Sequence, residues 1–107
     1  MDQPSPSLSE VIAEPSRYQG AKVRVHGYCS LTFESKGLYA SEATYREPGL
    51  RKALWVDLPL DETSKKLHKT TVLIEGTVDA TSRGHLGMYP AAITNIERIE
   101  RWTPPTR

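Results

Sequence analysis

The side chains best suited to chemistry in this 107-residue chain are three histidines, His26, His68 and His85, and a single cysteine, Cys29. A metal site needs ligands brought together, most simply by H-x-H on a strand or an i, i+4 pair on a helix. No two of these histidines have such a spacing, so they are expected to be surface or turn residues, with no metal. One cysteine excludes an internal disulfide and any cysteine-based cluster. A nucleophilic Cys29 would need exposure and a neighbouring cation or histidine. Its place in an alternating apolar row predicts core packing instead. No serine stands in a G-x-S-x-G setting, and no phosphate-binding glycine loop occurs. Glu34, Glu42 and Glu47 crowd one region, but their turn-like surroundings suit solvated carboxylates. The expectation is a protein that is not an enzyme and carries no cofactor.

The stretch DATSRGHLGMYP, Asp79–Pro90, packs Arg83, His85 and two glycines into a span where the chain must reverse. Taken alone it suggests a site; taken in order it follows an apolar strand, and its first task is a turn. Tyr39, Tyr45 and Trp55 supply aromatic rings, and Arg46, Arg51 and Lys52 lie between or beside them in sequence. Rings and cations together can stack bases and follow a phosphate backbone. They equally suit a protein interface, where Trp, Tyr and Arg are enriched.

Charge bears on that choice. Lys plus Arg number 14 and Asp plus Glu 13, a formal net charge of +1. Residues 1–53 carry seven basic and six acidic side chains, and residues 54–107 seven of each. Duplex binders draw affinity from neutralising phosphates and show a basic excess, so strong non-specific nucleic-acid binding is disfavoured. The amino terminus, MDQPSPSLSE, has neither a basic start nor an apolar core, and no apolar run approaches the ~20 residues that span a bilayer. The chain reads as cytoplasmic, with no membrane partner, unless a native export signal has been replaced by a new start.

The elements that must hold these residues follow from pattern. Residues 1–6 and 103–107 are proline-rich and polar, and are expected to be mobile tails around a single domain over 7–102. SLSE, Ser7–Glu10, matches a capping box, with Leu8, Val11 and Ile12 on one helical face and Pro15 ending the helix at Glu14. From Lys22 to Phe33 the chain alternates: Val23, Val25, Cys29, Leu31 and Phe33 face inward with Gly27. Lys22, Arg24, His26, Tyr28, Ser30 and Thr32 face outward. Lys36-Gly37 predicts a turn, LYAS a short second strand, and SEATYREPG a brief helical turn or loop. KALWVDL gives a third strand, with Leu54, Val56 and Leu58 opposed to Ala53, Trp55 and Asp57. DETSKKL gives a one-turn helix with Asp61 at its start. TTVLIEGTVDA alternates again, and GMYPAAITNIERIERW closes the chain with a strand whose apolar parity shifts between Ile93 and Ile96, predicting a bulge near Thr94-Asn95.

KVRVHGY and TVLIEGT share the form V-x-[V/I]-x-G. Two long strands each bent at a central glycine are what a small, strongly coiled barrel requires. The order strand, strand, strand, short helix, strand, strand, with a helix in front, is that of a five-stranded OB-like Greek-key barrel, mainly β. An antiparallel sandwich of the same strands is the rival, and the glycine-bent first and fourth strands favour the barrel.

The run SLSEVIAEPSRYQGAKVRVHGY, with LYASEATY, ALWVDL, TVLIEGTVDA, GHLG and IERIERW, resembles a group of small bacterial OB-fold-like proteins of mostly unassigned function. The resemblance covers about residues 7–102. It implies the fold and a prokaryotic origin, and it carries no active-site residues.

OB-folds receive ligands on the face of strands two and three and on the loops joining strands one–two and four–five. Mapped onto this chain, the candidate contact residues are Tyr39, Tyr45, Arg46, Arg51, Lys52 and Trp55, with Arg83 and His85 from the four–five loop. Near-zero net charge and the nearby Glu34, Glu42, Glu47 and Asp57 favour an unidentified protein or peptide partner, as an adaptor or inhibitory module. Weak single-stranded nucleic-acid binding through the same face is the alternative, a purely structural role for the aromatics stands beside both, and an unrecognised enzyme comes last.

Overall fold

The computed structural model describes residues 6–32, 36–47, 52–82 and 89–103. Five strands, β1 (Lys22–Leu31), β2 (Lys36–Tyr39), β3 (Ala53–Val56), β4 (Thr70–Asp79) and β5 (Ala92–Arg101), close into a barrel in the order β1-β2-β3-β5-β4. All neighbours are antiparallel except β3 and β5, which run parallel with Trp55 opposite Ala92 and Val56 opposite Ile93. Three short helices accompany them: α1 (Leu8–Ala13), α2 (Glu42–Arg46) between β2 and β3, and α3 (Glu62–Leu67) between β3 and β4. This is the mainly β, five-stranded OB-like barrel expected from the strand order, with one helix more.

Local chemistry starts and stops each helix. The Ser7 hydroxyl accepts from Glu10 N at 3.2 Å and the Glu10 carboxylate accepts from Ser7 N at 2.9 Å, a complete capping box. Glu14 then ends α1, and Pro15 opens a single 3-10 turn, Pro15–Tyr18. Asp61 and Ser64 form the same reciprocal cap on α3, at 2.8 and 3.0 Å. Leu8 and Val11 of α1, and Leu67 of α3, enter the core from their helices. The core itself is the inward row of each strand: Val23, Val25, Cys29, Leu38, Leu54, Val56, Val72, Ile74, Val78 and Ile93 are all at most 3% exposed.

The glycine echo has the same cause at both sites. A Cβ on Gly27 would collide with the Tyr39 carbonyl oxygen and lie 2.6 Å from Leu8 Cδ2; one on Gly76 would lie 2.8 Å from the Thr94 carbonyl oxygen. Each glycine lets a neighbouring strand cross its own at closer than side-chain distance. The bulge falls where parity predicted it: the β4–β5 register shifts between Glu75 and Thr77, and Asn95 takes φ 47°, the left-handed region that asparagine tolerates.

Three expectations are corrected. Lys36 and Gly37 do not turn; they open β2, where Gly37 pairs with Trp55 and the Lys36 ammonium donates to the Leu58 carbonyl at 2.6 Å. Tyr28 and Ser30, expected to face solvent, are 8% and 4% exposed, and Ala53 is fully buried. The alternation places them correctly on the outer face, but a second layer of the protein covers that face. Strand β1 is described to Leu31 and Thr32 follows it; Phe33 lies outside the described residues, as do most of both proline-rich ends, of which only Pro6 and Thr103 are described.

Candidate functional site

The second layer is an aromatic cluster on the outer face of β1, β2 and β3. Register sets it up: Tyr28 pairs with Tyr39 and Tyr39 with Ala53, so a small residue flanks two large rings in one row. Tyr28, Tyr39, Ala53 and Tyr89 are buried there, with Tyr45 and Trp55 packed against them. Tyr45 belongs to α2, whose start is fixed by the Ser41 hydroxyl accepting from Thr44 N at 3.2 Å. Its ring lies 5.2 Å from that of Tyr28 and 5.1 Å, edge-on, from that of Tyr39. Such tilted aromatic pairs add to simple burial because ring edges are positive and faces negative. Burial, followed by the nearby Glu42 carboxylate, pushes the Tyr28 hydroxyl up from its ordinary range.

Trp55 sits at the border of this cluster. Its indole is half-buried, meets Tyr89 edge-on at 5.3 Å, and carries the Lys36 ammonium 5.7 Å from its ring centre. The cation is within reach of the ring quadrupole while one of its protons goes to Leu58, so the half-buried ring is held from two sides.

The eight residues expected to make contacts therefore divide. Trp55 and Tyr45 are half-buried on the face, and Tyr39, 5% exposed, lies beneath Tyr45 and shapes the face from below instead of offering a ring. Arg46 and Lys52 are exposed at its rim, but each has a carboxylate: Arg46 with Glu42 at 2.7 Å and Lys52 with Glu47 at 2.9 Å. Arg51, Arg83 and His85 lie outside the described residues, and so does Glu34. Strand pattern alone missed three members. Alternation sends Tyr28 to solvent, residue type sends Lys36 to a turn, and Tyr89 has no signal but its position just before β5.

The other nominated groups are structural. The Cys29 thiol is fully buried and donates to the Leu67 carbonyl at 2.9 Å, and burial pushes it above its ordinary range. That is the setting of an inert thiol. His68, just after α3, accepts from Leu31 N through Nδ1 at 2.9 Å, which ties the end of β1 to α3. His26 is exposed and stacks on Trp102, ring centres 3.9 Å apart and planes within 8°. Beside it an open groove of about 480 Å³ runs between α1 and β1, lined by Ser7, Glu10, Arg24 and His26 among others. Three of its polar residues are engaged within the protein: Ser7 and Glu10 cap α1, and Arg24 pairs with Glu75 at 2.9 Å. Among the described residues no three of His, Cys, Asp and Glu gather as metal ligands, and no helix is long and apolar enough to cross a membrane.

Fold and face together define an OB-like barrel whose β2–β3 surface is layered with its own aromatic side chains. No protein-family model matches the chain, and no curated protein matches it.

Proposed function

We propose that this protein is a non-catalytic OB-like binding module of the bacterial cytoplasm whose partner is a protein or peptide. The observation that carries the reading is Trp55: a half-buried indole, backed by Tyr89 and held by Lys36. A rigid aromatic with a dry underside is the kind of side chain that dominates protein interfaces. The rim supports the same choice. Arg46 and Lys52 already face Glu42 and Glu47, so an incoming phosphate would meet paired cations and two carboxylates, whereas a protein of mixed charge would meet complementary groups of both signs.

The test has two arms. In the first, protein partners are captured from the native host with wild type and with Trp55→Ala. Truncation of a central anchor is expected to weaken a genuine partner by about 2 kcal/mol, roughly thirtyfold, with the thermal transition retained. A partner set identical for the two proteins removes Trp55 from the surface. In the second, short single-stranded DNA and RNA are titrated at low salt, and no saturable change in tryptophan emission is expected. Tight binding that weakens steeply as salt rises would replace the protein partner with a nucleic acid.

A further inference from the structure

β5 is longer than the strand beside it. On one side it pairs with β4 along nearly its whole length, from Ala92 opposite Asp79 to Arg101 opposite Val72. On the other side β3 pairs only with Ala92 and Ile93, and Asp57 N donates to the Ile93 carbonyl at 3.1 Å before the chain leaves the sheet at Leu58-Pro59. Beyond the bulge, Glu97–Arg101 has no second partner strand among the described residues.

Hydrogen-bond parity shows which groups that edge presents. Trp102 N donates to the Thr71 carbonyl at 2.9 Å, so in an antiparallel ladder Glu100 and Arg98 also bond to β4 and Ile99 and Arg101 point away from it. The neighbouring pair obeys the same alternation, since Val78 N donates to Ala21 and Val78 O accepts from Gly20 on the β1 side. The outward backbone groups of the overhang are thus those of the odd-numbered residues.

The side chains there read I-E-R-I-E-R from Ile96 to Arg101. If a second copy adds to this edge antiparallel and two-fold, odd residues must face odd residues, and one residue lies on the axis opposite itself. Centres at Glu97 or Glu100 put carboxylate against carboxylate; centres at Arg98 or Arg101 put guanidinium against guanidinium. A centre at Ile96 would set Ile99 opposite Ile93 and Glu100 opposite Ala92, whose free side β3 already occupies. Of the centres left, only Ile99 avoids like charge. It places Ile99 opposite Ile99 and matches Glu97 with Arg101 and Arg98 with Glu100, twice each by symmetry. Glu97, Arg98, Glu100 and Arg101 are all exposed. Within the chain Glu97 already pairs with Lys22 and Arg98 with Glu75 and Glu100, so the match across the axis shares these charges, and Arg101 alone has no ion pair among the described residues. Natural sheet edges commonly carry charge that repels a second copy; this one carries charge that selects a single register.

We infer that β5 is a self-complementary edge through which two copies of this chain join, antiparallel and two-fold about Ile99, in a continuous sheet.

The experiment is sedimentation of wild type, Arg101→Glu, Glu97→Arg and the double variant across concentration, with amide exchange read in parallel. Wild type is expected to pass from a 12.0 kDa species to one of twice that mass, with the Ile99 and Arg101 amides gaining protection as it does. Each single reversal sets like charges opposite twice per dimer and should weaken association about tenfold or more. The double variant exchanges the two signs and should restore it. Both positions are exposed, so folding is retained. A single 12.0 kDa species up to millimolar concentration, with the Ile99 amide unprotected, overturns the inference and leaves the edge to a strand of another protein. A dimer indifferent to the reversals, or one the double variant fails to restore, overturns it as well.

Discussion

A methyl group is the smallest change a side chain can suffer, and at Gly27 there is no room for one. The obstacle is the Tyr39 carbonyl on one side and Leu8 on the other, a backbone atom and a core side chain, neither of which swings away. Gly27→Ala should cost about 3 kcal/mol, at the upper end of ordinary overpacking, read as a drop in the urea midpoint. Gly76→Ala, where the nearest atoms are 2.8 and 2.9 Å away and one belongs to the Ile93 side chain, should cost less. Equal midpoints for wild type and Gly27→Ala would show that β1 and β2 do not cross as described. At this scale the sequence was informative about residues whose role is set by parity. Cys29 lies in an alternating row and is buried; the two glycines share a motif and a function. It was silent about Tyr28, because alternation says which face a residue occupies and not what covers that face.

Among the elements, the cap of α1 makes a prediction with a defined sign. The Ser7 backbone and then its hydroxyl hold the Glu10 carboxyl below the usual carboxylate range. A lowered folded value means that the stabilisation is complete above the unfolded carboxylate range and is lost as pH falls through the folded value. Acidification should therefore reduce the unfolding midpoint, and Glu10→Gln should show a smaller reduction than wild type over that window. At neutral pH Ser7→Ala should cost about 1 kcal/mol through the lost cap. Urea titrations at several pH values check both, and parallel curves for wild type and Glu10→Gln would remove the cap from the acid response. Comparison of the two variants is needed because Asp79 is held low by Thr81. Glu75 is also low: burial pushes it up, but Arg98 and Arg24 outweigh that. The cap of α1 and the Asn95 bulge were legible in the sequence, since each is local chemistry with a short signature. At α3 the sequence placed Asp61 at the helix start but not its exchange with Ser64. The start of β2 was not. Lys36 and Gly37 look like a turn by type, and it is their contacts with Leu58 and Trp55, distant in sequence, that make them strand.

For the whole molecule, the order of elements gave the barrel, and near-balanced charge framed the choice of partner. The face was only half visible. Which strands compose it follows from topology, and with them the place of Trp55, but its self-covering depends on Tyr89 and α2 folding back across it. The pairing of β1 with β4 has a kinetic meaning of its own. Lys22 lies opposite Thr77 and Cys29 opposite Thr70, so every rung of this ladder joins residues 41 to 55 positions apart in the chain. The intervening chain must be drawn into a loop before the first rung forms, and that entropy is spent before any of the ladder's bonds repay it. Refolding should accordingly be slow for so small a domain, in the millisecond-to-second range typical of barrels rich in distant pairings. Stopped-flow dilution from urea measures it, and a microsecond phase carrying the full amplitude would contradict it. A circular permutant with its ends moved into the β2–β3 connection and the old termini joined would change the length of that loop, and with it the speed at which the barrel shuts.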